Sequence, residues 1–148
     1  MNLNEVQINK SDLLDIKSHL INCDAIFEPP LSSYVDIEKY AKKLYENAVR
    51  FEIWEAKRLT CLLAVYINKE DKNVFISNIS IEKNSQGKGF GKLLLNSLIK
   101  SSLTKQCNEI LLEVFNNNTK AIHFYYNFGF SKLDECNDKL VLSFKING

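Results

Sequence analysis

At 148 residues, 45% of them hydrophobic, the chain suits one domain spanning residues 1–148 with a sizeable core. Nineteen basic residues against eighteen acidic ones leave a net charge of +1 without a basic block, which argues against a nucleic-acid partner. No run approaches the ~20 apolar residues of a membrane span, and residues 1–10 lack the layout of an export signal.

Leu3 to Ile8 reads as a short first strand, and Ser11 is placed to cap a helix with Leu13, Leu14, Ile16, Leu20 and Ile21 on one side. Pro29-Pro30 breaks that pattern, so Asp24 to Val35 is a loop. Asp36 caps a second helix running to Ala48, with Ile37, Tyr40, Ala41, Leu44 and Tyr45 at helical spacing. The period then changes. Val49–Glu55, Thr60–Asn68 and Val74–Ile81, separated by polar turns, make an antiparallel meander. Phe90 to Leu103 is a helix with Leu93, Leu94, Leu98 and Ile99 inward, and Glu109–Phe115 is the next strand. A short helix covers Lys120–Phe128, with Gly129 just past its end. Phe130–Cys136 and Lys139–Ile146 close as a hairpin at Asn137-Asp138. This order predicts an α/β fold, a mixed sheet with helices on both faces. The strand from Leu140 to Ile146 is a candidate sheet edge that a second subunit would pair with, so monomer and homodimer both stay open.

Cys23, Cys61, Cys107 and Cys136 are scattered, with no Cys-x-x-Cys, and read as reduced thiols of a cytoplasmic protein. His19 and His123 have no ligand-like spacing, so no metal is expected.

The most informative stretch follows the strand ending at Ile81. Gln86-Gly87-Lys88-Gly89-Phe90-Gly91 forms a glycine-rich turn that opens directly into a helix. Free main-chain N–H groups and the positive end of the helix dipole there hold a pyrophosphate, and Cβ-free positions allow close approach. A dinucleotide fingerprint requires Gly-x-Gly-x-x-Gly after the first strand of a parallel unit. Here Lys92 stands where the third glycine belongs, and some eighty residues precede the turn.

The same run matches the Gln/Arg-x-x-Gly-x-Gly/Ala signature of the GNAT acetyltransferase superfamily. Further on, Asn118-x-x-Ala121-Ile122-x-Phe124-Tyr125-x-x-x-Gly129-Phe130 resembles that superfamily's second conserved segment. The resemblance is clear from Arg50 to the C-terminus and weak before it. It implies a mostly antiparallel sheet of six or seven strands with about four helices, splayed where acetyl-coenzyme A enters. It also implies acetyl transfer from that co-substrate to a primary amine, with the cofactor clamped by Gln86, Gly87, Lys88, Gly89, Phe90, Gly91 and Lys92. Main-chain groups near Ile79 and Ile81 would pair with the pantetheine amides as an added strand does.

Within that frame Asn118 either fixes the pantetheine arm or caps its helix, and one residue can do both. Tyr125 is the candidate proton donor to the leaving thiolate, against the alternative of an aromatic core position. Glu113 is the candidate base, because a carboxylate on a largely buried strand needs a task or a partner. Ribosomal-protein alanine acetyltransferases of this superfamily carry a catalytic Glu at the matching place, twelve positions before the tyrosine. The alternative for Glu113 is a structural ion pair. Acceptor choice is expected from the Asp24–Val35 loop, the second helix and the Phe51–Trp54 strand, with Glu28, Tyr34, Arg50, Trp54 and Glu55 as polar candidates, although Trp54 and Phe51 are more often core on such a strand. A small amine (amino sugar, amino acid or polyamine) is the expected acceptor. A protein N-terminus, or a module that binds acyl-CoA without catalysis, is the alternative.

Overall fold

A computed structural model describes residues 5–146. Its frame is a seven-stranded sheet in the order β1-β2-β3-β4-β5-β7-β6. The strands are β1 (Val6–Ile8), β2 (Val49–Glu55), β3 (Arg58–Asn68), β4 (Asn73–Ile81), β5 (Glu109–Phe115), β6 (Ser131–Cys136) and β7 (Lys139–Lys145). Among the described residues only β4 and β5 run parallel. The helices are α1 (Leu13–Cys23), α2 (Ile37–Asn47), α3 (Phe90–Lys100) and α4 (Thr119–Phe128). The expected mixed, mostly antiparallel sheet with helices on both faces is what is found. Leu3 and Asn4 of the expected first strand lie outside the described residues.

Each face of the sheet carries its own core. Leu94, Leu95 and Leu98 of α3 pack with Ile122 and Tyr125 of α4 against Ile53, Leu63, Ile110 and Leu112. On the other face Ile16 and Leu20 of α1 meet Ala41 and Leu44 of α2 over Leu62 and Ala64. Alternation along β3 explains the division, since Leu62 and Ala64 point one way and Leu63 and Val65 the other.

Three local expectations are corrected. Asp12, not Ser11, caps α1, in a reciprocal capping box with Asp15. The inward stripe of α1 is Ile16, His19, Leu20 and Cys23, whereas Leu13, Leu14 and Ile21 are exposed. The helix is rolled so that one polar and one thiol side chain enter the core, which counting apolar residues does not detect. Finally, β7 lies between β5 and β6, so the far edge is β6, whose side chains, Cys136 included, are exposed.

Two irregularities make the site. Parallel pairing of β4 with β5 runs from Asn73↔Glu109 to Ile76↔Leu112 and stops there, while β5 stays paired with β7 through Phe115. Beyond Ile76 the two strands splay. At the same point β4 bulges against β3, with Val65 opposite Ile76 and Ala64 opposite Asn78, so that Ser77 is the extra residue. The bulge resets the alternation of β4. Val74 and Ile76 belong to the α3 core, but after it Asn78 and Ser80 are buried on the α1 side, and Ile79 and Ile81 pack on the α3 side.

Candidate active site

The glycine turn lies at the end of the splayed β4. Gly87 and Gly89 have φ of +80° and +79°, with open space where a Cβ would stand, so backbone conformation alone demands glycine there. At Gly91 the reason is different, because a Cβ would meet the Phe124 ring at 2.9 Å. That close approach seats α3 on α4. The first intrahelical bond of α3 runs from Leu93 N–H to Gly89 O at 3.0 Å, leaving the Phe90, Gly91 and Lys92 amides free at the helix N-terminus. Gln86 ties the turn to the strand by donating from Nε2 to Ile81 O at 3.2 Å.

These groups border a cavity of about 780 Å³, lined by Ile79, Ile81, Gln86, Gly87, Gly89, Phe90, Gly91, Lys92, Asn118 and Tyr125. Lys88 is placed elsewhere, with its ammonium on Glu55 at 3.4 Å. Lys120 and Phe124 on α4, Ser85 before the turn and Ser80 of β4 also line this cavity, beyond the residues expected from the sequence. Lys120 carried a readable signal, since it falls two residues after Asn118, at the open end of the same helix.

A second cavity, of about 280 Å³, opens on the opposite face of the splay. Glu28, Tyr34, Tyr40, Asn78, Glu113 and Lys139 are among its lining residues. Phe27, Ile79, Asn118, Ala121 and Tyr125 line both cavities, so the two meet at Tyr125. The Tyr125 side chain is buried, edge-on to Phe124 and Phe130 with ring centroids 5.4 Å away in each case. Burial pushes its phenol well above the ordinary tyrosine range, so it stays protonated. Asn118 does cap α4, accepting from Ala121 N–H at 3.3 Å through Oδ1, and this leaves its amide nitrogen for a second partner.

Glu113 is not buried as expected. The odd residues of β5 face away from the α3 core, and the Glu113 side chain is 49% exposed, with Lys139 Nζ 3.7 Å away. Lys139 also lies over the Phe115 ring at 4.9 Å, and Phe115 meets Tyr34 edge-on at 5.1 Å. Glu113 therefore reaches the junction from the side of the second cavity.

Of the other acceptor candidates, Glu28 and Tyr34 line the second cavity, and three do not. Arg50 is buried in a structural network, donating to Ser11 Oγ at 2.9 Å, Ser11 O at 2.9 Å and Glu52 Oε2 at 3.3 Å. Trp54 Nε1–H donates to Glu52 at 3.1 Å. Glu55 braces the glycine turn, accepting from Ser85 and Thr60, and these bonds hold its carboxyl below the ordinary range. By its spacing Tyr40 is only a helix-face residue. Its hydroxyl bonds to the bulged Ser77, at 3.0 Å to O and 2.6 Å to Oγ.

A parallel strand pair that opens at a bulge, an N–H cradle on one side and a protonated phenol at the junction suit a pyrophosphate-bearing arm laid across the sheet. The model of the Acetyltransferase (GNAT) family matches residues 22–130, and the chain belongs to that family. The spermidine N(1)-acetyltransferase of Vibrio cholerae is 33% identical over 130 residues, covering 82% of this chain and 70% of that one. The spermine/spermidine N(1)-acetyltransferase of Bacillus subtilis is 40% identical over 67 residues, 43% of each chain. Here, as with a second Bacillus subtilis relative, the match spans 43% of the relative's length. The PaiA N-acetyltransferase of Thermoplasma acidophilum, solved with coenzyme A, shares the fold with a TM-score of 0.73 at 16% identity. That match covers 95% of this chain and 99% of that one. Among the described residues no helix is long and apolar enough to cross a membrane.

Proposed function

We propose that the protein is an acetyl-CoA-dependent N-acetyltransferase whose acceptor is a small primary amine of the polyamine class. One observation carries the reading: a cavity edged by the glycine turn and a separate cavity with carboxylates meet at Tyr125. Acetyl-coenzyme A supplies an activated thioester. The free amides of Phe90, Gly91 and Lys92 suit its pyrophosphate, with Lys92 and Lys120 adding charge. The β4 edge left unpaired beyond Ile76 suits the pantetheine amides. The free amide nitrogen of Asn118 is the donor from the opposite side.

Tyr125, kept protonated by burial, gives the leaving sulfur its proton. An alkylammonium with a pKa near 10.4 is well under ~0.1% neutral at pH 7, so the acceptor must lose a proton at the site. Glu113, on the acceptor face, draws the ammonium in and takes that proton through water. Glu28 and Glu113 outnumber the one cation, Lys139, that lines this cavity beside them, which favours a cationic acceptor. The names of the Vibrio and Bacillus relatives point the same way.

The test is thiol release from acetyl-coenzyme A with spermidine, spermine, amino sugars, amino acids and peptides as acceptors, for wild type and Glu113→Gln. The reading expects polyamines to be preferred in kcat/KM and Glu113→Gln to lose about tenfold or more. A coenzyme A thermal shift without turnover on any amine would leave only a binding module.

A further inference from the structure

A buried polar chain that the mechanism above does not use runs from α1 to the acceptor cavity. His19, 1% exposed, places Nδ1 3.1 Å from Leu59 O and Nε2 2.7 Å from Ser80 Oγ. Ser80 Oγ lies 2.8 Å from Asn78 Oδ1, and Asn78 and Tyr40 line the acceptor cavity. We propose that His19 is a positioning residue for the acceptor: through Ser80 it decides which end of the Asn78 amide faces the amine. The inference rests on the acceptor reading above.

Counting protons along the chain gives the argument. Leu59 O can only accept, so Nδ1 must carry a hydrogen. In neutral imidazole Nε2 is then an acceptor and takes the Ser80 hydroxyl proton. Ser80 Oγ has nothing left to donate, so Asn78 must offer it N–H and turn its carbonyl toward the cavity, beside the Tyr40 hydroxyl with which its side chain also interacts, where it accepts from the amine. In imidazolium every direction reverses. Nε2–H donates to Ser80, Ser80 donates to Asn78 Oδ1, and the amide presents N–H to the cavity, where it opposes an ammonium. Asn O and N are assigned from such networks, so both states fit one set of heavy-atom positions.

The surroundings supply both states. Burial favours neutral imidazole, pushing His19 below its ordinary pKa. The charged groups facing the ring are Glu82, whose buried Oε2 lies 3.7 Å from Nδ1 without a hydrogen bond, and Arg58, bound to the other oxygen of Glu82. The Cys23 and Cys61 thiols nearby are pushed up to about 12 by burial and stay neutral. Glu82 is thus a ready counter-charge when His19 takes a proton.

The chain has two histidines, so imidazole nitrogen NMR can follow His19 directly. At neutral pH the expected signal is the Nδ1–H tautomer, changing to imidazolium on acidification together with a shift of the Asn78 side-chain amide. The Nε2–H tautomer at neutral pH, or an Asn78 amide indifferent to His19, overturns the proposal. In kinetics, Ser80→Ala cuts the chain and should raise acceptor KM about fivefold. Because Ser80 also lines the cofactor cavity, the deciding readout is the pH profile: the acid limb that His19 protonation steepens in wild type should become shallower in the variant. An acid limb unchanged from wild type assigns His19 and Ser80 to packing alone.

Discussion

On the cofactor side of Tyr125 the binding groups come largely from one run of chain, residues 79–92, and many are main-chain amides or Cβ-free positions. On the acceptor side they are side chains (Glu28, Tyr34, Tyr40, Asn78 and Glu113) drawn from the 24–35 segment, α2, β4 and β5. A pyrophosphate is held by geometry that a short local sequence can encode. An amine of particular size and charge is recognised by groups that only tertiary folding brings together. The cofactor half should therefore respond to backbone changes and the acceptor half to side-chain chemistry, with Tyr125 common to both.

The largest expected effect is at that shared residue. Tyr125→Phe keeps the ring that packs on Phe124 and Phe130 but removes the proton donor. We predict a kcat loss of about 10²–10⁴-fold, with coenzyme A still raising the melting temperature. A kcat near wild type would reassign Tyr125 to the aromatic core. Arg50→Ala should come next, on stability alone. Removing a buried guanidinium strands Glu52, 0% exposed, and costs about 3–5 kcal/mol in a denaturant melt. Per folded molecule the KM for the amine should not move. A shift there would return Arg50 to the acceptor site.

Gly89→Val is smaller and tests the cofactor half. A branched residue at φ +79° costs about 1–2 kcal/mol of stability, and its side chain occupies the open space a diphosphate needs. The expected outcome is a KM for acetyl-coenzyme A raised about tenfold or more, with the acceptor KM unchanged. Equal rises in both would mean that the two cavities are not separable.

The same contrast explains what could be read in advance. The bounds of β2 and β5, Val49–Glu55 and Glu109–Phe115, were legible because alternation and flanking turns are local signals. So were the glycine turn and the Asn118 cap. The roll of α1 was not, because His19 and Cys23 become core residues only when Ser80 and Leu59 O lie opposite. Glu113 was placed on a buried strand because its neighbours are apolar. In fact only the Ile110–Leu112–Val114 face is covered by a helix layer, and the other opens on the acceptor cavity. Arg50 reads as an acceptor candidate because nothing local announces Ser11, 39 residues away, which closes with the nearby Glu52 around its guanidinium.

Glu55 gives the smallest effect and separates bracing from binding. Its carboxyl is held below the ordinary range first by Ser85, then by Thr60, with Lys88 contributing. A depressed folded pKa means stabilisation that is complete above the unfolded value, about 4.3, and is lost as pH falls through the folded one. At neutral pH Glu55→Gln should therefore melt slightly below wild type, by less than about 1 kcal/mol because the group is partly solvated. The two curves should converge under acid. If Glu55 only braces the turn, the variant raises the KM for acetyl-coenzyme A modestly and leaves the amine alone. A selective loss of polyamine affinity would instead extend the acceptor surface across the sheet to β2 and break the division between the two halves.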